Sequence, residues 1–186
     1  VEDSWERNAE AVATQVNKLV MERKPHVVLL TGDVRAEGLL KAELRNEVRE
    51  RIVELSGGTR GQSMERESFR EELALALDEY VAGVQESTAE KFRETQGRDA
   101  GSVAGPGAVS EVLERGQADE VIFNPGREPK NIEELLYQAI LTDAGVYALD
   151  SEVLALPDGV AAFLRWDDDS TPSNSIASMS GDGARQ

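Results

Sequence analysis

The chain has 186 residues, a 40% hydrophobic share and 36 acidic side chains against 20 Lys and Arg, for a formal net charge of −16. That is room for one ordinary domain or two small ones, with an acidic, well-solvated surface that argues against sequence-independent binding to nucleic-acid phosphates. The absence of cysteine excludes disulfides and thiolate metal sites, and no run approaches the roughly 18–20 apolar residues of a membrane span.

Val1 is followed by acidic and polar residues rather than a basic-then-apolar leader, and we expect a fragment of a longer protein. Asp3 or Ser4 can cap a first helix running from Trp5 to about Arg23. Trp5, Ala9, Val12, Val16, Leu19 and Val20 recur at helical spacing and are expected to face a core. Pro25 then ends the helix. The chain is organised around the stretch from Lys24 to Leu44, where an apolar run, Val27–Thr31, meets Gly32-Asp33 and an amphipathic segment. This reads as a buried strand feeding a helix over Val34–Leu44, hence a sheet covered by helices and an α/β chain.

A short helical piece at Asn46–Glu50 precedes a strand at Arg51–Leu55. Ser56–Ser63 (SGGTRGQS) is a loop by its glycines and hydroxyls. From Glu67 a helix of about thirty residues follows, with Phe69, Leu73, Leu77, Val81, Val84 and Phe92 at helical spacing. Gly83 inside it costs roughly 1 kcal/mol relative to Ala, and a kink or break is expected there. Gly97–Gly107 is glycine-rich and reads as a loop. Next come a helix over Ala108–Arg115, a strand over Ala118–Phe123, and a helix from Asn131 or Ile132 to Thr142 with Leu135, Leu136, Ala139 and Ile140 inward. Gly145 is expected to cap that helix, before a strand at Val146–Leu149. Pro157-Asp-Gly159 turns the chain into a last strand, Val160–Trp166. Residues 167–186 are polar and Gly/Ser-rich and are expected to be disordered.

Gly32-Asp33 at a strand-to-helix corner could mark a phosphate or metal site. There is no GxGxxG or Walker sequence beside it, however, and Asp33 would repel an anion; we read it as a helix N-cap. Gly57–Gln62 (GGTRGQ) carries glycines that admit a ligand and an amide that could orient a water, but we read it as a connector. His26 is the only histidine, at a strand opening, and reads as structural or surface. Arg45, Arg49 and Arg51 are diluted by Glu43, Glu47 and Glu50, an ordinary helix face. Glu71-Glu72, Glu133-Glu134 and Asp167–Asp169 read as solvated runs. No catalytic, cofactor-binding or metal-ligating residue is assigned.

Two stretches, Gly107–Phe123 (GAVSEVLERGQADEVIF) and Gly159–Trp166 (GVAAFLRW), resemble the third domain of archaeo-eukaryotic peptide-chain release factors and their relative Pelota. The helix Trp5–Arg23, the strands HVVLLTGD and RIVEL, and the helix from Phe69 resemble the back half of that superfamily's middle domain. The bacterial ribosome-rescue branch is the nearest in kind. The resemblance implies two small α/β lobes: part of an RNase-H-like middle domain over residues 1–86, and over 87–166 a third domain of the kink-turn-binding ribosomal-protein fold.

It also implies that the full-length parent is a cytoplasmic peptidyl-tRNA hydrolase acting on the ribosome. Its catalytic Gln loop would precede Val1, and this piece would be scaffold, inactive alone and without cofactors. The catalytic Gln is not carried onto Gln62. Kink-turn proteins open a helix with Gly-Asn-Glu, where this chain has Ser110-Glu111 after Gly107, with Asp119 and Glu120 nearby. The resemblance therefore implies a protein partner on the third domain rather than direct nucleic-acid binding. Two other readings stand beside it: a non-catalytic interaction module in translation or stress response, and a small-ligand domain using the Gly32-Asp33 corner.

Overall fold

The structure is a computed structural model and describes residues 2–55 and 66–173. The Gly57–Gln62 loop and residues 174–186 lie outside the described residues. The contacts divide the chain into two units, Val1–Tyr80 and Val81–Gln186. The chain is α/β, as expected, with helices and strands in both units.

In the first unit, α1 (Glu2–Arg23) leads to β1 (Val28–Leu30), α2 (Val34–Glu43), the short α3 (Asn46–Arg49) and β2 (Ile52–Glu54). β1 and β2 pair in parallel, Val28 opposite Ile52 and Leu30 opposite Glu54. A parallel pair needs a crossover, and α2 with α3 supplies it. The core joins Ala13 and Val20 of α1 to Leu44 and Val48, with Val16, Val28, Leu40 and Ile52 packed around them. The expected α1 stripe is only partly inward: Val12 and Leu19 are 48% and 56% exposed. Each precedes a buried residue, Ala13 or Val20, and one helical step turns a side chain by about 100° away from the core line.

α4 (Arg66–Gly97) is continuous over 32 residues, Gly83 included, so the expected break does not occur. A Cβ at Gly83 would meet no atom within 4 Å; the residue sits on an open face where its cost is propensity alone. Leu77 and Val81, at helical spacing in the sequence, are exposed.

The second unit contains β3 (Ser102–Ala104), α5 (Pro106–Glu114), β4 (Ala118–Phe123), α6 (Ile132–Leu141), β5 (Gly145–Ala148) and β6 (Val160–Leu164). The strand order is β3-β6-β4-β5, with β6 antiparallel to both neighbours and β4 parallel to β5. Side chains alternate across this sheet. Val121, Val160 and Ala162 pack with Val109, Val112 and Leu113 of α5 and Leu135 and Ala139 of α6. Ile122, Ala161 and Phe163 pack on the other face with Phe92 of α4, whose ring meets that of Phe163 edge-on at 6.3 Å. Burying one such ring is worth about 2–3 kcal/mol.

Three further expectations for this unit are corrected. β3 lies inside the stretch read as a loop; Val103 is buried, and Ser102 Oγ bonds Thr95 Oγ1 at 2.8 Å. Pairing with β6 makes this short edge strand, which local composition does not favour. Gly145 does not cap α6. Asp143 takes the left-handed turn at φ 55 and Gly145 opens β5. Ile140, expected inward, is 72% exposed.

Residues 167–173 also depart from the featureless tail expected from Asp167 onward. Arg115 bonds Asp168, and Gln117 Nε2 donates to the Trp166 carbonyl and to Thr171 Oγ1, both at 2.7 Å.

Candidate functional site

In the first unit the Gly32-Asp33 corner is occupied by its own carboxylate. Asp33 Oδ1 accepts from the N–H groups of Arg35 at 3.0 Å and Ala36 at 3.4 Å, capping α2. Those are the donors a phosphate would need, and the cap adds a negative charge where the anion would sit. A groove of about 510 Å3 lies beside the corner, between α1, the end of β1 and α2, with Trp5, Val12, Leu30, Leu40 and Glu37 in its lining. Glu37 is only 8% exposed. An apolar wall with a buried carboxylate suits an apolar or cationic group and rejects an anion.

The other candidates of this unit are structural. The carbonyl of His26 accepts from Tyr80 Oη at 3.1 Å while the residue itself is exposed. Arg49 bonds Asn46 within α3, and Arg51 ties β2 to the chain ahead of β1 by reaching the Pro25 carbonyl at 2.6 Å. Among the described residues, no group of three or more His, Cys, Asp or Glu is placed to hold a metal.

In the second unit a cleft of about 510 Å3 opens where α5 begins, lined by Pro106, Arg127, Glu128, Pro129, Lys130, Leu156, Asp158 and Gly159. α5 starts at Pro106 with Gly105 as N-cap at φ 84, so the helix opening is Gly105-Pro106-Gly107. Ser110 and Glu111, placed by sequence at the opening, lie in its second turn. Ser110 Oγ bonds Glu114 at 3.4 Å and Glu111 pairs with Arg115 at 3.8 Å. Asp119 faces Arg165 at 3.8 Å, and Glu120 faces Lys91 at 3.6 Å. In the cleft two cations, Arg127 and Lys130, stand with two acids, Glu128 and Asp158. Backbone N–H groups of Glu128 and Gly126 lower the Glu128 carboxyl below its ordinary range, so it stays charged. Balanced charge is not the surface that tracks a phosphate backbone.

The residue that shapes this cleft is Asn124, which the sequence showed only as the first residue of an Asn-Pro-Gly turn. It is fully buried. Its Nδ2 donates to the carbonyls of Leu149 at 2.7 Å and Leu154 at 3.0 Å, and its Oδ1 accepts from Leu156 N at 2.7 Å. An Asn at the end of a strand, ahead of a Pro-Gly, is a turn signal; nothing in the local pattern shows that its amide ties down a loop some thirty residues on.

A family model for bacterial archaeo-eukaryotic release factor family 2 matches residues 1–98, more than half of the chain. The chain belongs to that family. It is similar in fold to the archaeal Pelota of a ribosome-bound complex with ABCE1. That match has a TM-score of 0.59 at 15% identity and covers 86% of this chain and 49% of the other. It is similar also to Dom34 of S. cerevisiae, described as a translation termination-like factor in RNA quality control that interacts with Hbs1. There the TM-score is 0.60 at 13% identity, covering 89% of this chain and 54% of Dom34. The chain thus spans about half the length of the solved relatives it matches. No curated protein matches it. Among the described residues, no helix of this release-factor-like protein is long and apolar enough to cross a membrane.

Proposed function

We propose that this chain is the scaffold and docking part of a release-factor-like protein acting in translation termination or ribosome rescue. The observation that carries the reading is the family match over residues 1–98, supported by the likeness in fold to Pelota and Dom34. In this reading residues 1–86 belong to the middle domain and 87–166 form the third domain. The whole protein hydrolyses the ester of peptidyl-tRNA, with a Gln-bearing loop outside these residues positioning the water. The Gly32-Asp33 corner supports a scaffold role, because its helix N–H groups are committed to the Asp33 carboxylate, and the mixed charge lining the second-unit cleft offers no single-sign surface to a phosphate backbone.

The test is to add the purified chain to stalled ribosomes carrying a labelled nascent peptide. The expected outcome is co-sedimentation with ribosomes and no peptide release. Release by this chain alone, or failure to associate with ribosomes at all, overturns the reading.

A further inference from the structure

The outward face of α6 is apolar over its second half. Tyr137, Ile140 and Leu141 are 61%, 72% and 61% exposed, and their spacing places them side by side on one helix face. Val146 of β5, 39% exposed, is the register partner of buried Val121 and projects from the sheet on the α6 side. Single exposed apolar residues are ordinary, but a contiguous group of this size marks a place where something binds. β5 is the outermost strand on that side of its sheet. Gln85 closes the far end of its outer edge by bonding the Ala148 carbonyl at 3.2 Å and Asp150 N at 2.6 Å. The free strand edge is therefore short, and the helix face is the larger part of the surface.

The charge around this face says what covers it. From position 131 to position 164 the chain contains no Lys, Arg or His, and the carboxylates that flank the apolar residues of α6 in sequence are Glu133, Glu134 and Asp143. Glu133 and Glu134 lie one turn before Tyr137, and Asp143 lies one turn after Ile140; all three are exposed. Arg165, the cation that follows, commits its guanidinium to the carbonyls of Gly116, Thr142 and Asp143. A second copy at net charge −16 would bring acid against acid, and a nucleic acid would do the same with its phosphates.

We propose that the face formed by Tyr137, Ile140, Leu141 and Val146 docks a protein segment whose apolar side chains are flanked by Lys or Arg. This rests on the docking role proposed for the third domain and gives it a location and a partner chemistry. The apolar side chains of the segment cover the patch while its cations meet the carboxylate rim.

The probes are two labelled amphipathic peptides with the same leucine stripe, one bearing Lys and the other Glu, titrated into the full chain by fluorescence anisotropy. The Lys peptide is expected to bind, and the Glu peptide to bind at least about 10-fold more weakly. The double substitution Tyr137→Ser with Ile140→Ser is expected to weaken the Lys peptide by about 10-fold, whereas Leu75→Ser with Val81→Ser, at exposed positions of α4, leaves it unchanged. Should the first double variant fold poorly by circular dichroism, Glu133→Gln with Glu134→Gln, at exposed positions, is expected to weaken the same peptide. Equal binding to the variants and the parent chain means bulk charge alone and overturns the proposal, as does equal binding of the Glu peptide. A concentration-dependent dimer that Ile140→Ser abolishes also overturns it, by placing a second copy on the face. Ribosome co-sedimentation of the same variants separates the two readings. Patch-dependent peptide binding without ribosome association defeats only the translation role, and ribosome association without patch dependence defeats only the docking face.

Discussion

Gly159 lies against the Arg127 carbonyl so closely that a Cβ on it would stand 1.8 Å from that oxygen. Its φ of 74 is in the region where L side chains are strained. Space and backbone therefore both demand glycine, at the turn that feeds β6 and lines the second-unit cleft. Gly159→Ala is expected to destabilise the chain by about 3 kcal/mol or more, read as a drop in the urea midpoint. Gly107→Ala serves as the contrast. It lies in α5, where a Cβ meets nothing within 4 Å, and should be neutral or stabilising by about 0.5 kcal/mol. Similar losses in both variants would remove the steric argument.

Asn124 joins the end of β4 to the loop between β5 and β6 through two bonds from its buried amide nitrogen and one to its oxygen. Asn124→Ala leaves the carbonyls of Leu149 and Leu154 and the N–H of Leu156 unpaired, at a cost of about 3 kcal/mol. Asn124→Asp should be no better, because a carboxylate cannot donate to the two carbonyls. Chemical denaturation of the three proteins compares them directly; an Asp variant as stable as the parent would refute the donor role.

Asp33 is a cap and not a ligand. Asp33→Ala is expected to cost about 1 kcal/mol, and Asp33→Asn only a few tenths, since the amide oxygen can still accept from the α2 N–H groups. Thermal melts in the presence of ATP or inorganic phosphate should not shift for the parent chain. A shift that Asp33→Ala abolishes would restore the corner as a binding site.

The turn after β6 is pH-sensitive. The Arg115 guanidinium, followed by Ser170, holds the Asp168 carboxyl at about 2 against an ordinary value of 3.8. The folded value is depressed, so this contribution is fully present above the ordinary value and is lost as pH falls from about 3.8 toward 2. Residues 167–173 should therefore loosen in that window while the turn is intact at neutral pH. Carboxyl NMR titration checks this, and Arg115→Gln should return Asp168 toward the ordinary range. An unchanged titration in that variant would show that Arg115 is not the cause.

Local patterns carried much of the fold. The Val27–Thr31 run, Asp33 before an amphipathic segment, and the turn at Pro157–Gly159 each appear where a strand, a cap and a turn were expected. Their determinants are short-range: apolar continuity, a side-chain acceptor, a glycine free to take positive φ. β3 escaped because a three-residue edge strand exists only by its pairing with β6. The candidate sites were less legible still. Asn124 and the Asp168–Arg115 pair join positions far apart in sequence, and composition assigned the latter region to a featureless tail.

The sequence alone determined the α/β class, the acidic surface, the order of most elements and the likeness to release factors. Periodicity, caps and charge are properties of adjacent residues, and adjacency is what a sequence displays. Only the tertiary structure decided which of two apolar flanks each helix buries. Val12, Val81 and Ile140 satisfy helical spacing and still face outward. A helix offers more apolar positions than one neighbour can cover, and which positions are covered depends on where the sheet and the other helices lie. That choice left the α6 face open.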